Sequence, residues 1–283
     1  MPGHPRWRIP ELGSALGAGT GTTNGIYYHG GPVLPGTVNL YFIWYGNFEN
    51  GPAPSDDATT VSLLTSLFSA GGLGSTPYAR ILSTYFDKAL PVSGHYALVS
   101  STTDGYSRGR QLDDAGVAAV VASAIGRNRL PKDSSGVYYV LTSSDVAETS
   151  GFCTKYCGWH SHFNLDGADI RFAFIGNPDR CPQSCEEQLL SPNNDSGADA
   201  MASVMAHETS ESITDPDLNA WYDLNGNEVA DKCAWKWGPV NGILGNGAWN
   251  LTAAGRDWLI QMVWENSRGG GCDQAFGGKF YSQ

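Results

Sequence analysis

The chain has 283 residues, a formal net charge of -11 and 16% charged residues, so it is acidic without being highly charged. A chain of this length can bury enough apolar surface to fold as one large domain. An acidic chain is short of the Lys and Arg that neutralise phosphates, which argues against a nucleic-acid partner. No window approaches the roughly 18 apolar residues that a membrane span needs. We therefore expect a soluble protein.

The N-terminal part, residues 1–36, is rich in Gly and Pro and has no periodic apolar pattern, which predicts an extended arm. Its first 25 residues lack the apolar core of a signal peptide, so we expect that any targeting segment has been replaced by Met1. Residues 37–283 contain no internal repeat. We predict one domain over residues 37–283.

Predicted strands and helices alternate from Thr37 onward. Strands rich in β-branched and aromatic residues are predicted at VNLYFIWYGNF (38–48), HYALVS (95–100), GVYYVLTS (136–143), IRFAFIGNP (170–178) and WLIQMVWENS (258–267). Helices with apolar residues at helical spacing are predicted at DDATTVSLLTSLFSA (56–70), STPYARILSTYFD (75–87), LDDAGVAAVVASAIGRNRL (112–130) and SGADAMASVMAHETSESITD (196–215). This alternation predicts an α/β or α+β fold, with helices layered on one central mixed sheet.

The number of cysteines is even, which predicts three disulfides and an oxidising, extracellular compartment. The six are Cys153, Cys157, Cys181, Cys185, Cys233 and Cys272. A zinc knuckle is the alternative, because the segment FCTKYCGWHSHF places Cys153 and Cys157 close to two histidines. We favour disulfides, since the C-x-x-C and H-x(3-5)-H spacing of structural zinc sites is absent.

The helix predicted over residues 196–215 carries the clearest chemical pattern, His-Glu-x-x-Glu. His207 and Glu211 are four residues apart and therefore lie on one helix face, where both can ligand one metal ion. Glu208 occupies the place of the general base in H-E-x-x-H metallopeptidases. The other residues of this helix are nearly all small or apolar, so burying these three side chains is costly unless a cation compensates them. Solvated charges near a helix end are the alternative interpretation.

A third metal ligand is expected downstream, and the sequence does not choose between three carboxylates. Asp217 lies ten positions after His207, where the long zincin signature has its third ligand. Glu228 and Asp231 are the other candidates, in the way that a distant Glu serves in gluzincins. One imidazole with two carboxylates shifts the preference from zinc toward harder ions such as calcium or manganese.

The acidic segment after this helix has a second interpretation. Asp223, Asn225, Asn227 and Glu228 offer closely spaced oxygens that resemble half of a calcium loop, but the closing glutamate is missing at the required distance. A turn rich in Asn and Gly explains the same residues.

His160 and His162 are weaker candidates for substrate binding, together with the neighbouring Trp159. Both histidines point to one face if the segment is a strand, and they could complete the metal site. A polar surface turn between disulfides is the alternative. Nucleophilic catalysis is disfavoured, because the chain has no G-x-S-x-G motif and disulfides account for its cysteines.

Several segments resemble, in order and spacing, the plant phosphate-induced protein 1 family, also called EXORDIUM and EXORDIUM-like. They are YHGGPVLPGTVNLYFIWYGNF, FCTKYCGWHSHF, RFAFIGNPDRC, MAHETSESITDPDLNAWYD and EVADKCAW, within residues 28–276. The resemblance implies a secreted, cell-wall type of protein linked in plants to growth and nutrient responses, and it implies no particular reaction. The plant members have Asn in place of Asp215 and no carboxylate matching Asp217, which favours Glu228 and Asp231 as ligands.

Two functions are therefore expected. The first is a secreted zincin-like metallopeptidase, with zinc at His207 and Glu211 and with a peptide or protein as substrate. The second is a non-catalytic extracellular protein that is stabilised by calcium and uses its Trp and Tyr side chains to contact cell-wall polysaccharide or protein.

Overall fold

The computed structural model describes the backbone of residues 6–8 and all of residues 25–88, 90–267 and 269–278. Most of the predicted N-terminal arm lies outside the described residues. The helices are α1 (Ala58–Phe68), α2 (Asp114–Gly126), α3 (Pro182–Cys185) and α4 (Ser196–Thr214). The strands are β1 (Arg6–Arg8), β2 (Tyr27–Tyr28), β3 (Gly36–Tyr45), β4 (Val92–Asp104), β5 (Gln111–Leu112), β6 (Gly136–Thr142), β7 (Ala147–Glu148), β8 (Tyr156–Leu165), β9 (Ala168–Ile175), β10 (Trp221–Tyr222), β11 (Leu251–Ala253), β12 (Arg256–Trp258), β13 (Val263–Glu265) and β14 (Gly271–Asp273).

A mixed sheet forms the centre of the domain, in the order β8-β9-β6-β3-β4, and β1 pairs with the outer edge of β8. Strands β4, β3, β6 and β9 run parallel to one another, and β8 runs antiparallel to β9. Every residue of β6 is buried, which is typical of a strand inside a parallel sheet that is covered on both faces. The predicted α+β fold with a central mixed sheet is confirmed.

The antiparallel pair β8 and β9 is joined by the two residues Asp166 and Gly167, which both have positive φ (48° and 81°). An Asp-Gly pair in this conformation is a strong hairpin signal, because the twist of the turn matches the twist of the two strands. The side-chain oxygen of Asn164 accepts a hydrogen bond from the Gly167 N–H and closes the turn. The hairpin fixes β8 in register beside the parallel strands.

Helix α4 packs against β8, β9 and α1 and is buried from Gly197 to Thr214. Asp195 caps its N-terminus by accepting a hydrogen bond from the Ala198 N–H. The hydroxyl of Thr209 inside the helix donates to the carbonyl oxygen four residues earlier, so burial leaves no hydroxyl hydrogen unpaired there. A helix made of small residues, with the hydroxyls of Thr209, Ser210 and Thr214 bonded to its own backbone, can lie close to the sheet.

The first turn of α4 contains a buried carboxyl group whose protonation affects stability. Burial, followed by the charge of Asp195, raises the pKa of Asp199 from 3.8 to about 6. The folded state therefore binds a proton at Asp199 more tightly than the unfolded chain does. The stability that protonated Asp199 contributes is present below pH 4 and is lost as the pH rises through 6. A shift of this size corresponds to about 2–3 kcal/mol.

We expect the Asp199→Asn variant to lose less stability than the wild type between pH 4 and pH 7.5, because it lacks this titration. Urea unfolding at the two pH values measures the difference. An equal loss of unfolding free energy in both proteins would contradict the role given to Asp199.

Three predicted elements differ from the structure. The helix predicted at residues 75–87 is a short 3-10 helix, Ala79–Thr84. The strand predicted at residues 95–100 is part of the longer β4, whose polar end pairs only with β3. The strand predicted at residues 258–267 is divided between β12 and β13, because the N–H groups of Ile260 and Gln261 donate to side chains of Asn250 and Ser203 and not to a strand.

Packing begins before Thr37. Ile26, Val33 and Leu34 are buried, and β2 pairs with β10. The Leu34 N–H donates to the carbonyl oxygen of Ile213, which ties this segment to the end of α4. Residues 25–35, assigned to the arm from their composition, therefore belong to the folded part of the chain.

Three disulfides are present, as predicted: Cys153–Cys181, Cys157–Cys185 and Cys233–Cys272. The first two join the start of β8 to the segment around α3, and the third joins the segment after Asp231 to β14. Because Cys153 and Cys157 are both in disulfides, the zinc-knuckle alternative is wrong. In the described part of the chain, no helix is long and apolar enough to cross a membrane.

Candidate metal centre

Helix α4 contributes three buried polar side chains that lie close together: His207, Glu208 and Glu211. The Nε2 atom of His207 lies 3.3 Å from Oε1 of Glu211, as expected for residues one helical turn apart. The same oxygen accepts hydrogen bonds from the N–H groups of Ala230 (3.2 Å) and Asp231 (2.9 Å). These two bonds hold the Glu211 carboxylate against the loop that follows β10.

That loop contributes two more carboxylates. Oδ1 of Asp231 lies 3.6 Å from Nε2 of His207, and Oδ2 of Asp231 accepts a hydrogen bond from the Glu228 N–H. Asp223 shapes the start of the loop by accepting from the N–H groups of Asn225 and Asn227 and by pairing with Lys232. The Asp223 carboxylate is therefore occupied by protein donors that stabilise a turn. This agrees with the turn interpretation of the segment.

Strand β8 brings a second imidazole to the same place. Nε2 of His160 lies 3.2 Å from both carboxylate oxygens of Glu228 and 4.0 Å from Oε2 of Glu211. His160 is 1% exposed, so it belongs to the buried cluster and not to a surface turn. The sequence suggested His160 only as a weak candidate, either for substrate binding or for completing the metal site, because its partner Glu228 is 68 residues away along the chain.

Glu208 is the most informative side chain of the cluster. It is fully buried, and among the described residues neither of its carboxylate oxygens has a hydrogen-bond partner. An uncompensated buried charge costs roughly 3–5 kcal/mol. Burial raises the pKa of Glu208 well above its usual value, and the charges of Glu211 and Asp231 raise it further against the opposing effect of His207.

The pKa values of Glu228 and His207 are also raised. Burial, then the charge of Glu211, raises the pKa of Glu228 well above its usual value. Burial lowers the pKa of His207, but Glu211 and Asp231 outweigh this effect and raise it well above its usual value. The cluster therefore has an excess of negative charge and takes up protons in the absence of another cation.

A glycine in β8 lets α4 come this close to the sheet. A Cβ atom at Gly158 would lie 2.6 Å from a methyl group of Val204, 3.0 Å from the carbonyl oxygen of Phe174 and 3.1 Å from Oε1 of Glu208.

The Gly158→Ala variant should therefore lose about 1–3 kcal/mol of stability through overpacking and displace Glu208. Chemical unfolding measures the first effect, and unchanged stability would show that α4 can move away freely.

The other predicted site residues lie elsewhere. Asp217 accepts two hydrogen bonds from the Arg171 guanidinium (2.9 and 2.8 Å) and forms a partly exposed cluster with His162 and Asp169. The Asp217 carboxylate is paired with the Arg171 guanidinium and lies beside His162. Asp217 is therefore not part of the cluster around His207, and its prediction as the third ligand of that site is wrong. Trp159 is fully buried against Phe172 and Phe174, so it is a core residue that a substrate does not reach.

The family model for the phosphate-induced protein 1 conserved region matches residues 26–273. The chain belongs to the phosphate-induced protein 1 family. The matched region includes all the residues of the buried cluster. The resemblance noted from the sequence is thereby confirmed.

Curated members of the phosphate-induced protein 1 family align over most of the chain. Protein EXORDIUM-like 3 of Arabidopsis thaliana is 28% identical over 274 residues, covering 84% of this chain and 80% of the relative. Protein EXORDIUM-like 5 of the same plant is 29% identical, covering 84% and 74%. Protein PHOSPHATE-INDUCED 1 of Nicotiana tabacum is 27% identical, covering 74% and 71%. None of these names states a reaction.

Proposed function

We propose that this member of the phosphate-induced protein 1 family is a secreted, zincin-like metal-dependent hydrolase that acts on peptide bonds. The observation that carries the proposal is the fully buried Glu208 carboxylate, which has no hydrogen-bond partner among the described residues and lies beside His207 and Glu211. A structural core does not retain such a group without compensation. A metalloenzyme retains it as a general base.

The donor set fits a divalent cation. Nε2 of His207 lies 3.3 Å from the carboxylate of Glu211 and 3.6 Å from that of Asp231, and among the described residues neither carboxylate forms an ion pair with a lysine or arginine. Nitrogen and oxygen donors of this kind suit zinc, and the high share of carboxylates also suits manganese or calcium. When bound, such an ion polarises a substrate carbonyl and makes a coordinated water more acidic.

The protein's own groups then have separate tasks. His207 and Glu211 are held in place by the helix and by the N–H groups of Ala230 and Asp231. Glu208, one residue along the helix, accepts a proton from the attacking water and later delivers it to the leaving amine. Because no donor in the described parts of the chain occupies its oxygens, Glu208 can carry out both transfers without first breaking a hydrogen bond to them.

The pairing of β1 with β8 is the feature that supports a peptide as the substrate. β1 already pairs with the edge of β8 in antiparallel orientation, opposite Tyr156 and Trp159. An extended peptide binds to a sheet edge by the same main-chain hydrogen bonds. His160 follows Trp159 on the same strand, so a segment paired with β8 lies close to the metal centre.

A second function is favoured by the burial of the centre. His207, Glu211 and Glu228 are 1%, 1% and 0% exposed, and a closed site is typical of a structural ion. In this alternative the protein is a non-catalytic extracellular protein, stabilised by calcium, that binds cell-wall polysaccharide or protein.

Metal analysis of the secreted protein together with a peptide-library assay separates the two functions. We expect bound zinc or manganese and cleavage of internally quenched peptides that stops when a chelator removes the ion and returns when the ion is restored. Bound calcium alone, with no cleavage of any peptide, would contradict the hydrolase and support the structural alternative.

A further inference from the structure

The buried cluster contains two sets of potential ligands, and Glu211 belongs to both. One set is His160, Glu211 and Glu228, and the other is His207, Glu208 and Glu211; within each set the ligand atoms lie within 4.8 Å of one another. The two oxygens of Glu211 are divided between them. Oε1 faces His207 at 3.3 Å, and Oε2 faces His160 at 4.0 Å.

We infer that this centre holds two divalent cations, bridged by the carboxylate of Glu211. His160 and Glu228 bind one ion together with Oε2 of Glu211. His207 and Asp231, whose Nε2 and Oδ1 atoms lie 3.6 Å apart, bind the other ion together with Oε1, and Glu208 beside them remains the general base. The inference rests on the proposed function, which needs only the ion at His207, and adds a second ion whose ligands come from β8 and the following loop.

The charge of the cluster supports two ions. Four carboxylates, Glu208, Glu211, Glu228 and Asp231, meet here with two imidazoles, and in the described part of the chain none of them forms an ion pair with a lysine or arginine side chain. One divalent ion would leave an excess of two negative charges in a site that excludes water. Two divalent ions balance the four carboxylates.

The unpartnered carboxylate of Glu208 is an independent sign that the cluster binds a ligand, because both of its oxygens are buried without a hydrogen-bond donor among the described residues. The two histidines also come from different elements, α4 and β8, and each has its own loop carboxylate, Asp231 or Glu228. Two ions about 3.5–4 Å apart are the arrangement in which hydrolases stabilise both the attacking and the leaving group.

The test is the stoichiometry of Zn²⁺ binding to the intact, disulfide-bonded protein after chelator treatment, measured by equilibrium dialysis and elemental analysis. We expect two equivalents for the wild type and one for His160→Gln. The matched control is His162→Gln, which changes the other histidine of the same face, engaged with Asp169, and should keep two equivalents. A wild type that saturates at one equivalent, or a His160→Gln variant that keeps two, would overturn the inference.

Zinc-edge anomalous diffraction from wild-type crystals gives a second readout, which does not depend on any variant folding. Two peaks, one beside His160 and Glu228 and one beside His207 and Asp231, support the bridged pair, and a single peak overturns it. The outcomes also separate this inference from the proposed function. If the protein binds one ion and its peptide cleavage is sensitive to chelator, the bridged pair is ruled out and the hydrolase stands. If the protein binds two ions and cleaves no peptide, the hydrolase is ruled out and the bridged pair stands.

Discussion

The Glu208→Gln variant is expected to bind metal as the wild type does and to lose turnover by a factor of about 100 to 10,000, which is the usual contribution of a general base. Gln has nearly the same size and shape as Glu, so it fits the buried position. It has no basic oxygen and cannot take a proton from water. Because Glu208 makes no hydrogen bond with the described residues, the substitution breaks none.

The comparison needs metal content, folding and initial rates measured on the same preparations. Glu49→Gln is a suitable control, because Glu49 is exposed in the loop after β3 and its substitution removes the same charge from a position outside the site. It should keep full activity. If Glu208→Gln retains its metal and cleaves peptides at the wild-type rate, Glu208 is not the base and the proposed mechanism fails.

The Glu211→Gln variant is expected to change the effect of metal on stability. In wild type, bound metal should raise the free energy of unfolding by about 2.7 kcal/mol at a concentration 100 times the Kd. The amide oxygen of the new side chain still accepts from the Ala230 and Asp231 N–H groups, but an amide is a far poorer ligand, so this gain should be lost. Without metal the variant should be at least as stable as wild type, because one buried negative charge has been removed.

Thermal unfolding with chelator and with added Zn²⁺ measures this reversal. The matched control is Asp217→Asn, which removes a carboxylate that is paired with Arg171. It should lower stability by the same amount in both conditions. If Glu211→Gln is destabilised equally with and without metal, Glu211 has only a structural role.

The part of the site that could be predicted from the sequence is the part that a single helix determines. His207, Glu208 and Glu211 are neighbours through the helical repeat, and the fold confirms the buried helix that carries them. The extension of that register to Asp217 was not reliable, because α4 ends at Thr214 and the chain turns sharply through Leu218, which has a φ of 58°. Asp217 is thereby directed to Arg171.

The remaining groups depend on contacts between distant segments. His160 meets Glu228 because the Asp166-Gly167 hairpin places β8 beside β9 and because α4 lies against β8, and no local pattern reports this. The pairing of six cysteines has the same limitation, since an even count predicts three disulfides without fixing which residues join. Strands β3, β6 and β9 of the parallel sheet are predictable because each contains a continuous apolar run, whereas the polar end of β4 gives no such signal.

The most direct test of the metal centre is a crystal structure of the zinc-loaded protein with anomalous data at the zinc edge. We predict a zinc peak about 2.0–2.2 Å from both Nε2 of His207 and the carboxylate of Glu211, with Glu208 close by but not bound to that ion. The metal centre would be contradicted by a map that has no zinc peak beside α4 and shows the Glu208 carboxylate hydrogen-bonded only to protein groups or to water.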